Sequence, residues 1–506
     1  MFCKFVKLLK IKNYMTEQIK PENQNLETMA VKANLCNVER EYFDKLKAEL
    51  LQILGGKTFE DIEKTQDLVL ARRVHKKMAE ILEFLKSKEI NDEEMEERQE
   101  KEIAYKELLE WARDDVEKDN AEEWIEKIFD LKYLPIAKVK VKVKVLDLSG
   151  TKVSYLPKKL EVEELKIKET ENLLALPVGM KLKKLDAADS ELSTLEGVDV
   201  SKVINIDRNK KITRLPKGTK LEELQANKSE LSTLEGVKVT KIIGIEGSEK
   251  ITSLPIGTNV EQLYANKELS TLEGVKVTQS FGMRDNDKIT RLPSGTKLVF
   301  LYVRGGALET LDGVEVTGSI DINENKKIAC LPAGTKLAQL SAVNSNLETL
   351  EGVEVMYSID IQGNKKINSL PEGTMLHSLN ADNSELSTLE GVKVTKVIHI
   401  NDNKKIANLP PGTNLENLYA SNSVLTTLEG VNVSKIIDIE GNTTMKRLPR
   451  GISLNIMGLK NSGLEDLPDD LIVKREIDVT GCSDAVIQKA FELKAKGQIG
   501  YIKCTY

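Results

Sequence analysis

Three histidines and five cysteines are the side chains best suited to metal, redox or nucleophilic chemistry in this sequence, and their spacing supports none of it. His75, His377 and His399 are far apart and have no partner ligand at helical or hairpin spacing. Cys3, Cys36, Cys330, Cys482 and Cys504 are scattered, odd in number and free of any CxxC, so reduced thiols are expected. Neither a phosphate-cradling GxxxxGK(S/T) nor a nucleophile-elbow GxSxG occurs. The expectation is a protein without cofactor, metal or enzymatic activity, whose chemistry is recognition.

Recognition has better candidates. Tyr264 and Tyr302 flank Gly282, Phe300 lies two residues before Tyr302, and Arg284 and Arg304 follow at matching places. Tyrosine and arginine are the residue types that most often dominate interface energy. If these residues sit on neighbouring strands, Gly282 leaves a gap of about two strand spacings, roughly 9.6 Å, between two rings. Further along, Asp321, Asp360 and Asp438 make an acidic series suited to a basic peptide, with His399 and Tyr419 between the last two.

These residues are brought into line by a repeat. Prolines in a Leu-Pro-x-Gly setting stand at 177, 216, 255, 293, 332, 371, 410 and 449, with steps of 39 residues and a single step of 38. A period of this length marks a stack of units that depend on one another for a core. Each period holds two shorter units. One runs Leu221-x-x-Leu224-x-Ala226-x-x-Ser229-x-Leu231-x-x-Leu234, and the other is built on Ile243, Ile245, Ser248, Ile251 and Leu254. A recurrent slot in the second type holds Asn209, Asn286, Asn325, Asn364, Asn403 and Asn442, and Cys482 falls in the same slot near the end. Its expected task is structural: pairing buried backbone groups at a turn, where an unpaired one costs about 1–3 kcal/mol. Paired lysines after the slot, such as Lys210-Lys211 and Lys365-Lys366, read as a solvated rim.

Units of 19 or 20 residues ending in Leu-Pro resemble the short leucine-rich repeats of bacterial effector proteins, LxxLxVxxNxLxxLP, over about two thirds of the chain. The resemblance implies an α+β fold: a leucine-rich-repeat solenoid with a parallel sheet on the concave face, a mostly irregular convex side and an N-terminal α-helical bundle. It also implies a protein-interaction scaffold that binds on the concave face. Some relatives carry a ubiquitin-ligase domain with its nucleophile in Cys-x-Asp. Cys482-Ser483-Asp484 matches those letters, but only 22 residues follow and Cys482 occupies the ladder slot. The sequence departs from the pattern by placing Gly-Thr after the proline and by alternating two unit types.

The resulting organisation is a flexible arm over 1–34, a helical bundle or cap over 35–135, a solenoid of about 18 units over 138–482, and a capping helix and tail over 483–506. In the N-terminal region Phe43, Leu46, Leu50 and Ile53, then Leu70, Val74, Met78, Ile81 and Leu85, recur at helical spacing. With 74 basic and 80 acidic residues the net charge is −6, which lacks the footprint of a nucleic-acid binder. No apolar run is long enough to span a bilayer. The basic start MFCKFVKLLKIKNYM is a poor secretory signal, so a cytoplasmic protein, or one exported without a cleaved signal, is expected. The expected partner is a protein or peptide.

Overall fold

The computed structural model describes residues 37–56, 68–87, 107–116, 120–121, 125, 141–157 and 160–505. The chain forms two compact units, residues 1–110 with 130–141, and residues 111–129 with 142–506.

In the first unit the described elements are helices α1 (Asn37–Leu54) and α2 (Leu68–Ser87). Their apolar residues recur at three and four, so each helix presents one stripe. Phe43, Leu46, Leu50 and Leu54 of α1 close on Val74, Met78 and Ile81 of α2 as a single buried cluster. Lys77 ties the pair together at 2.7 Å from Glu49. Residues 107–110 of this unit are also helical, and the rest of the bundle expected over 35–135 falls largely outside the described residues, as does the arm over 1–34.

The second unit is a parallel β-solenoid. Its strands are β1 (Val141–Asp147), β2 (Leu160–Lys166), β3 (Lys181–Asp186), β4 (Asp199–Asn205), β5 (Lys220–Gln225) and β6 (Lys238–Gly244). They continue as β7 (Asn259–Ala265), β8 (Lys276–Arg284), β9 (Lys297–Arg304), β10 (Glu315–Asp321), β11 (Lys336–Ser341) and β12 (Glu354–Asp360). Then come β13 (Met375–Asn380), β14 (Lys393–His399), β15 (Asn414–Tyr419), β16 (Asn432–Asp438), β17 (Ser453–Gly458) and β18 (Ile472–Asp478). From β2 onward each strand pairs in parallel with the next in sequence. After helix α3 (Asp484–Ala495), strand β19 (Ile499–Lys503) adds to β18.

One coil shows why this sequence closes into a turn of solenoid. Leu221, Leu224 and Ala226 point inward from the strand side, and Leu231 and Leu234 from the irregular side; all are buried. The next coil repeats this with Val239, Ile243, Ile245, Ile251 and Leu254. No single coil could bury this set alone, so stability comes from stacking. The Gly-Thr after the proline builds the return turn. Gly218 adopts φ 87°, which a side chain would oppose, and the Thr219 hydroxyl donates to the Pro216 carbonyl at 2.7 Å. The same threonine bond recurs at Thr258, Thr296, Thr335, Thr374 and Thr413.

The alternation of two unit types is a repeated bulge. Leu221 pairs with Val239 and Glu223 with Ile242, so Glu222 on β5 faces both Thr240 and Lys241 on β6. A bulge of this kind puts one extra residue in every second strand: Leu221 and Val239 are 18 residues apart, Leu224 and Ile243 are 19, and the next step, Ile243 to Leu263, is 20, which completes the 39-residue period.

Both ends of the apolar stack are covered. Ahead of the first coil Trp111, Ala112, Val116, Ala121 and Ile125 are buried, and the Trp111 Nε1–H donates to the Tyr155 carbonyl at 3.0 Å. Asp115 receives the Ser154 amide and hydroxyl, at 2.9 and 2.6 Å. At the far end α3 starts at Ser483, whose hydroxyl accepts the Val486 amide, and it buries Val486, Ala490 and Leu493.

Candidate functional site

A ladder of buried polar side chains positions everything on the sheet face, because it fixes where each strand stops and turns. In Asn364 the amide group donates to the Leu347 carbonyl at 2.9 Å while its oxygen accepts the Lys366 and Ile367 amides at 2.9 and 2.8 Å. Asn209, Asn286 and Asn403 repeat this pattern, each bridging its own coil and the preceding one. Asn325 and Asn442 accept the same pair of amides and donate backwards to Gly305 and Ser423. Ser229 and Ser248 meet at 3.1 Å where two serines fall in succession. Most ladder residues follow a residue at positive φ, as Arg208 at 56° precedes Asn209.

Sequence inspection missed one rung. In the period of 38 residues the coil of β7 lacks a turn residue, and Asn266 takes over: its oxygen accepts the Glu268 and Leu269 amides, both at 2.8 Å, and its amide reaches Ser248 and Ile251. Next to it β8 and β9 are extended, pairing as far as Arg284 with Arg304. The signal was the shortened Ala265-Asn266-Lys267-Glu268-Leu269.

Cys482 closes the ladder. Its thiol donates to the Leu459 carbonyl at 3.0 Å and lies 3.6 Å from the Ser462 hydroxyl. Burial pushes this thiol above the ordinary cysteine range. An activated nucleophile needs a depressed value, so this environment is the opposite of an activating one.

The column between the inward strand residues is continuous. Gly244, Tyr264, Gly282, Tyr302, Asp321, Ser341, Asp360, Asn380, His399, Tyr419 and Asp438 are register partners in that order. The expected gap at Gly282 is absent: the Tyr264 ring lies over it, leaving an ideal β-carbon only 2.8 Å from Cδ1. Tyr302 stacks on Phe300 instead, with centroids 6.2 Å apart and planes 10° from parallel. Both rings are exposed. Partial burial, and then the neighbouring Tyr264 and Asp321, raise the Tyr302 hydroxyl above its usual range.

The arginines are committed within the chain. Arg304 is 2.6 Å from Glu324 and Arg284 is 3.4 Å from Asp285. His399 and Tyr419 stack on one another at 4.4 Å. Asp438 accepts the Glu440 amide and leans over Gly458. The lysine pairs are also occupied. Lys210 and Lys365 donate to the Lys228 and Asn383 carbonyls on the next coil, at 2.7 and 2.5 Å, and Lys366 pairs with Glu348 at 2.6 Å.

A second feature lies nearer the strand starts. Most strands carry charge there, laced across neighbours: Lys183 with Glu163 at 2.8 Å, Lys241 with Glu222 at 2.6 Å, and Lys435 with Glu416 at 2.5 Å. From β8 to β13 the lacing withdraws to the first residues of the strands, Lys297 with Glu315 and Lys336 with Glu354, both at 2.7 Å, and no Lys, Arg, Asp or Glu stands between the first and last residue of any of these strands. In place of the Thr-Lys of other strands, β12 has Met356-Tyr357; both side chains are 51% exposed, and Met375 on β13 is 64% exposed. Tyr357 stacks on His377 at 5.4 Å. Met356, Tyr357, Met375 and His377 line an open cavity of about 710 Å³, with Lys393 and Thr395 on its β14 side. At the other end of the window an ideal β-carbon at Gly318 would meet the Val299 carbonyl oxygen at 2.6 Å and the edge of the Phe300 ring at 3.3 Å.

Among the described residues no three His, Cys, Asp or Glu side chains gather as a metal site, and no helix is long and apolar enough to cross a membrane. The fold and this face define a parallel β-solenoid repeat protein. No protein-family model, curated protein or solved structure matches the chain.

Proposed function

We propose that the solenoid is a non-enzymatic scaffold that binds a protein partner on its sheet face, over β8–β13. The observation that carries this reading is the loss of charge from the strand interiors. A repeat whose coils are otherwise near copies has six consecutive strands with no charged residue between their first and last positions, and Phe300, Tyr302, Met356, Tyr357 and Met375 are left in water. Clustered exposed apolar side chains on a soluble surface mark an interaction site. Because each is already about half covered, burying it fully would contribute roughly 1 kcal/mol, and several together can dominate an interface.

The finer reading is that the coils are leucine-rich repeats of the short bacterial effector type. It is supported by the unit length, the Leu-Pro turn and an Asn ladder that pairs backbone groups between coils. On this reading the protein works in a cytoplasm or is exported without a cleaved signal. A ubiquitin-ligase reading through Cys482 is disfavoured by its half-buried thiol, hydrogen-bonded to Leu459 and raised above the ordinary range.

Affinity capture from cell extract tests the scaffold. The bait is the full chain, beside a variant with Phe300, Met356, Tyr357 and Met375 changed to Ser and a control carrying His399→Ser and Tyr419→Ser. A protein retained by the wild type and the control but lost by the window variant is the expected outcome. Identical retention by all three would remove the window as the binding face.

A further inference from the structure

We propose that the occupant of the β8–β13 window is a basic amphipathic segment of a partner protein. Its apolar side chains seat over Phe300, Met356, Tyr357 and Met375, and its lysine or arginine side chains face Asp321, Asp360 and Asp382. This rests on the scaffold reading above and adds the chemistry of the partner.

The carboxylates carry the inference. At the two ends of the same column acidic residues have a cation of their own, Asp186 lying 3.0 Å from Lys168 and Asp478 2.9 Å from Lys503, whereas Asp438 accepts the Glu440 amide. Along the window border the carboxylates have no such cation among the described residues. Asp321 accepts the Asn323 amide at 2.9 Å; Asp360 accepts the Gln362 amide at 3.1 Å and the Asn380 side-chain amide at 3.2 Å; Asp382 accepts the Asn401 amide and side-chain amide, at 2.6 and 3.2 Å. An ionised carboxylate has about four acceptor sites, so each retains free capacity. The arginines that would balance this border are held by Glu324 and Asp285.

Geometry separates the charged border from the apolar floor. Asp321 and Asp360 end β10 and β12, two strand spacings or roughly 9.6 Å apart, while Met356 stands third in β12 and Met375 begins β13. At the strand-start border of the cavity charge is mixed: Lys393 begins β14, Glu354 begins β12 and pairs with Lys336, and Glu372 also lines the cavity. Across its width the window is thus acidic along the strand ends, apolar through the middle, and of mixed, largely paired charge at the strand starts. A segment with an apolar face and one basic flank satisfies both. An acidic segment would meet like charge along the strand ends, and complementary charge would mainly set specificity and association rate.

A random dodecapeptide phage library panned on the full chain supplies the test, with counter-selection on the variant carrying Phe300→Ser, Met356→Ser and Met375→Ser. The expected window-dependent peptides join leucine or aromatic residues to two or more lysines or arginines. Synthesised and titrated by fluorescence anisotropy, they should lose about tenfold in affinity on Asp321→Asn with Asp360→Asn, and weaken with added salt. Both variants change exposed or half-buried side chains, and circular dichroism would verify that they fold.

Window-dependent peptides that are neutral or acidic, or whose binding ignores the Asp→Asn changes, would overturn the basic partner and leave the scaffold standing. No window-dependent peptide, together with a sedimenting dimer that the triple serine variant dissociates, would make a second copy of this chain the occupant. No window-dependent peptide and no dimer would remove both readings.

Discussion

The Tyr264 ring lies across Gly282 on the neighbouring strand, so close that a β-carbon there would stand 2.8 Å from Cδ1. The contact follows from the register, which pairs the two residues, and from an aromatic ring lying along the solenoid instead of standing off it. It converts an expected slot into a covered surface.

Two glycines of this region should therefore respond differently to alanine. Gly282 has no strained φ, so Gly282→Ala asks only that the Tyr264 ring swing away, at a cost below about 1 kcal/mol. Gly306 holds φ 80° and has the Asn286 carbonyl oxygen 2.5 Å from its virtual β-carbon. Gly306→Ala must move backbone as well as relieve strain, and should cost about 2 kcal/mol or more. Urea denaturation of the two variants measures the difference, and equal losses would contradict this account of both sites.

Asn364→Ala tests the ladder. It leaves the buried Ile367 amide and Leu347 carbonyl without the bonds described above, each worth about 1–3 kcal/mol when unpaired. The exposed Asn368, four residues on, is the control, with Asn368→Ala expected to stay within about 0.5 kcal/mol of wild type. Because coils depend on their neighbours, faster hydrogen exchange should be centred on the coils of β11 to β13. A ladder variant no less stable than its control would show that the asparagines are replaceable.

The lacing sets a pH dependence. Lys183, Lys241, Lys288 and Lys435 hold Glu163, Glu222, Glu268 and Glu416 below the ordinary glutamate range. A carboxylate with a depressed folded-state pKa stabilises the fold above its unfolded value, about 4.3, and that contribution is lost as pH falls through the lowered values. Lys241, Lys297 and Lys336 are raised by Glu222, Glu315 and Glu354, so their contribution is lost as pH rises through values above about 10.4. Thermal melts should be flat between roughly pH 5 and 10 and fall on either side. Being exposed, the pairs are screened, so salt at neutral pH should lower the melting temperature slightly. A melting temperature unchanged at pH 3 would show that the lacing is energetically idle.

The solenoid was legible because its causes are local and repeated. Inward Leu, Ile and Val, the Asn slot and the Leu-Pro-x-Gly-Thr turn each recur where one coil meets the next. The window was less so, because most of its apolar residues stand outside the column through Tyr264, Tyr302 and Asp321 that lies between the inward strand positions. Met356-Tyr357 stands earlier in its strand, and its signal was the loss of the Thr-Lys seen at Thr240-Lys241 and Thr395-Lys396. Spacing also cannot say which way a ring falls or what an arginine pairs with. Arg304 meets Glu324 one coil away, a partner that only the folded register brings near.

Thiol chemistry offers the sharpest check on the C-terminal end of the array. Cys330 is exposed, whereas Cys482 is half-buried with its hydrogen donated to Leu459 and its pKa raised by burial. The thiolate is the reactive form, so raising the pKa reduces its fraction at neutral pH while burial slows approach of the reagent. Iodoacetamide labelling at pH 7.5, read by peptide mass spectrometry, should modify Cys330 well before Cys482, with a ratio of about tenfold or more. Cys482→Ser keeps a hydroxyl in the ladder and should be nearly neutral, while Cys482→Ala should cost up to about 1 kcal/mol. If Cys482 instead labelled first, its surroundings would be activating, and a catalytic thiol at the Cys-Ser-Asp sequence would have to be considered in place of a ladder rung.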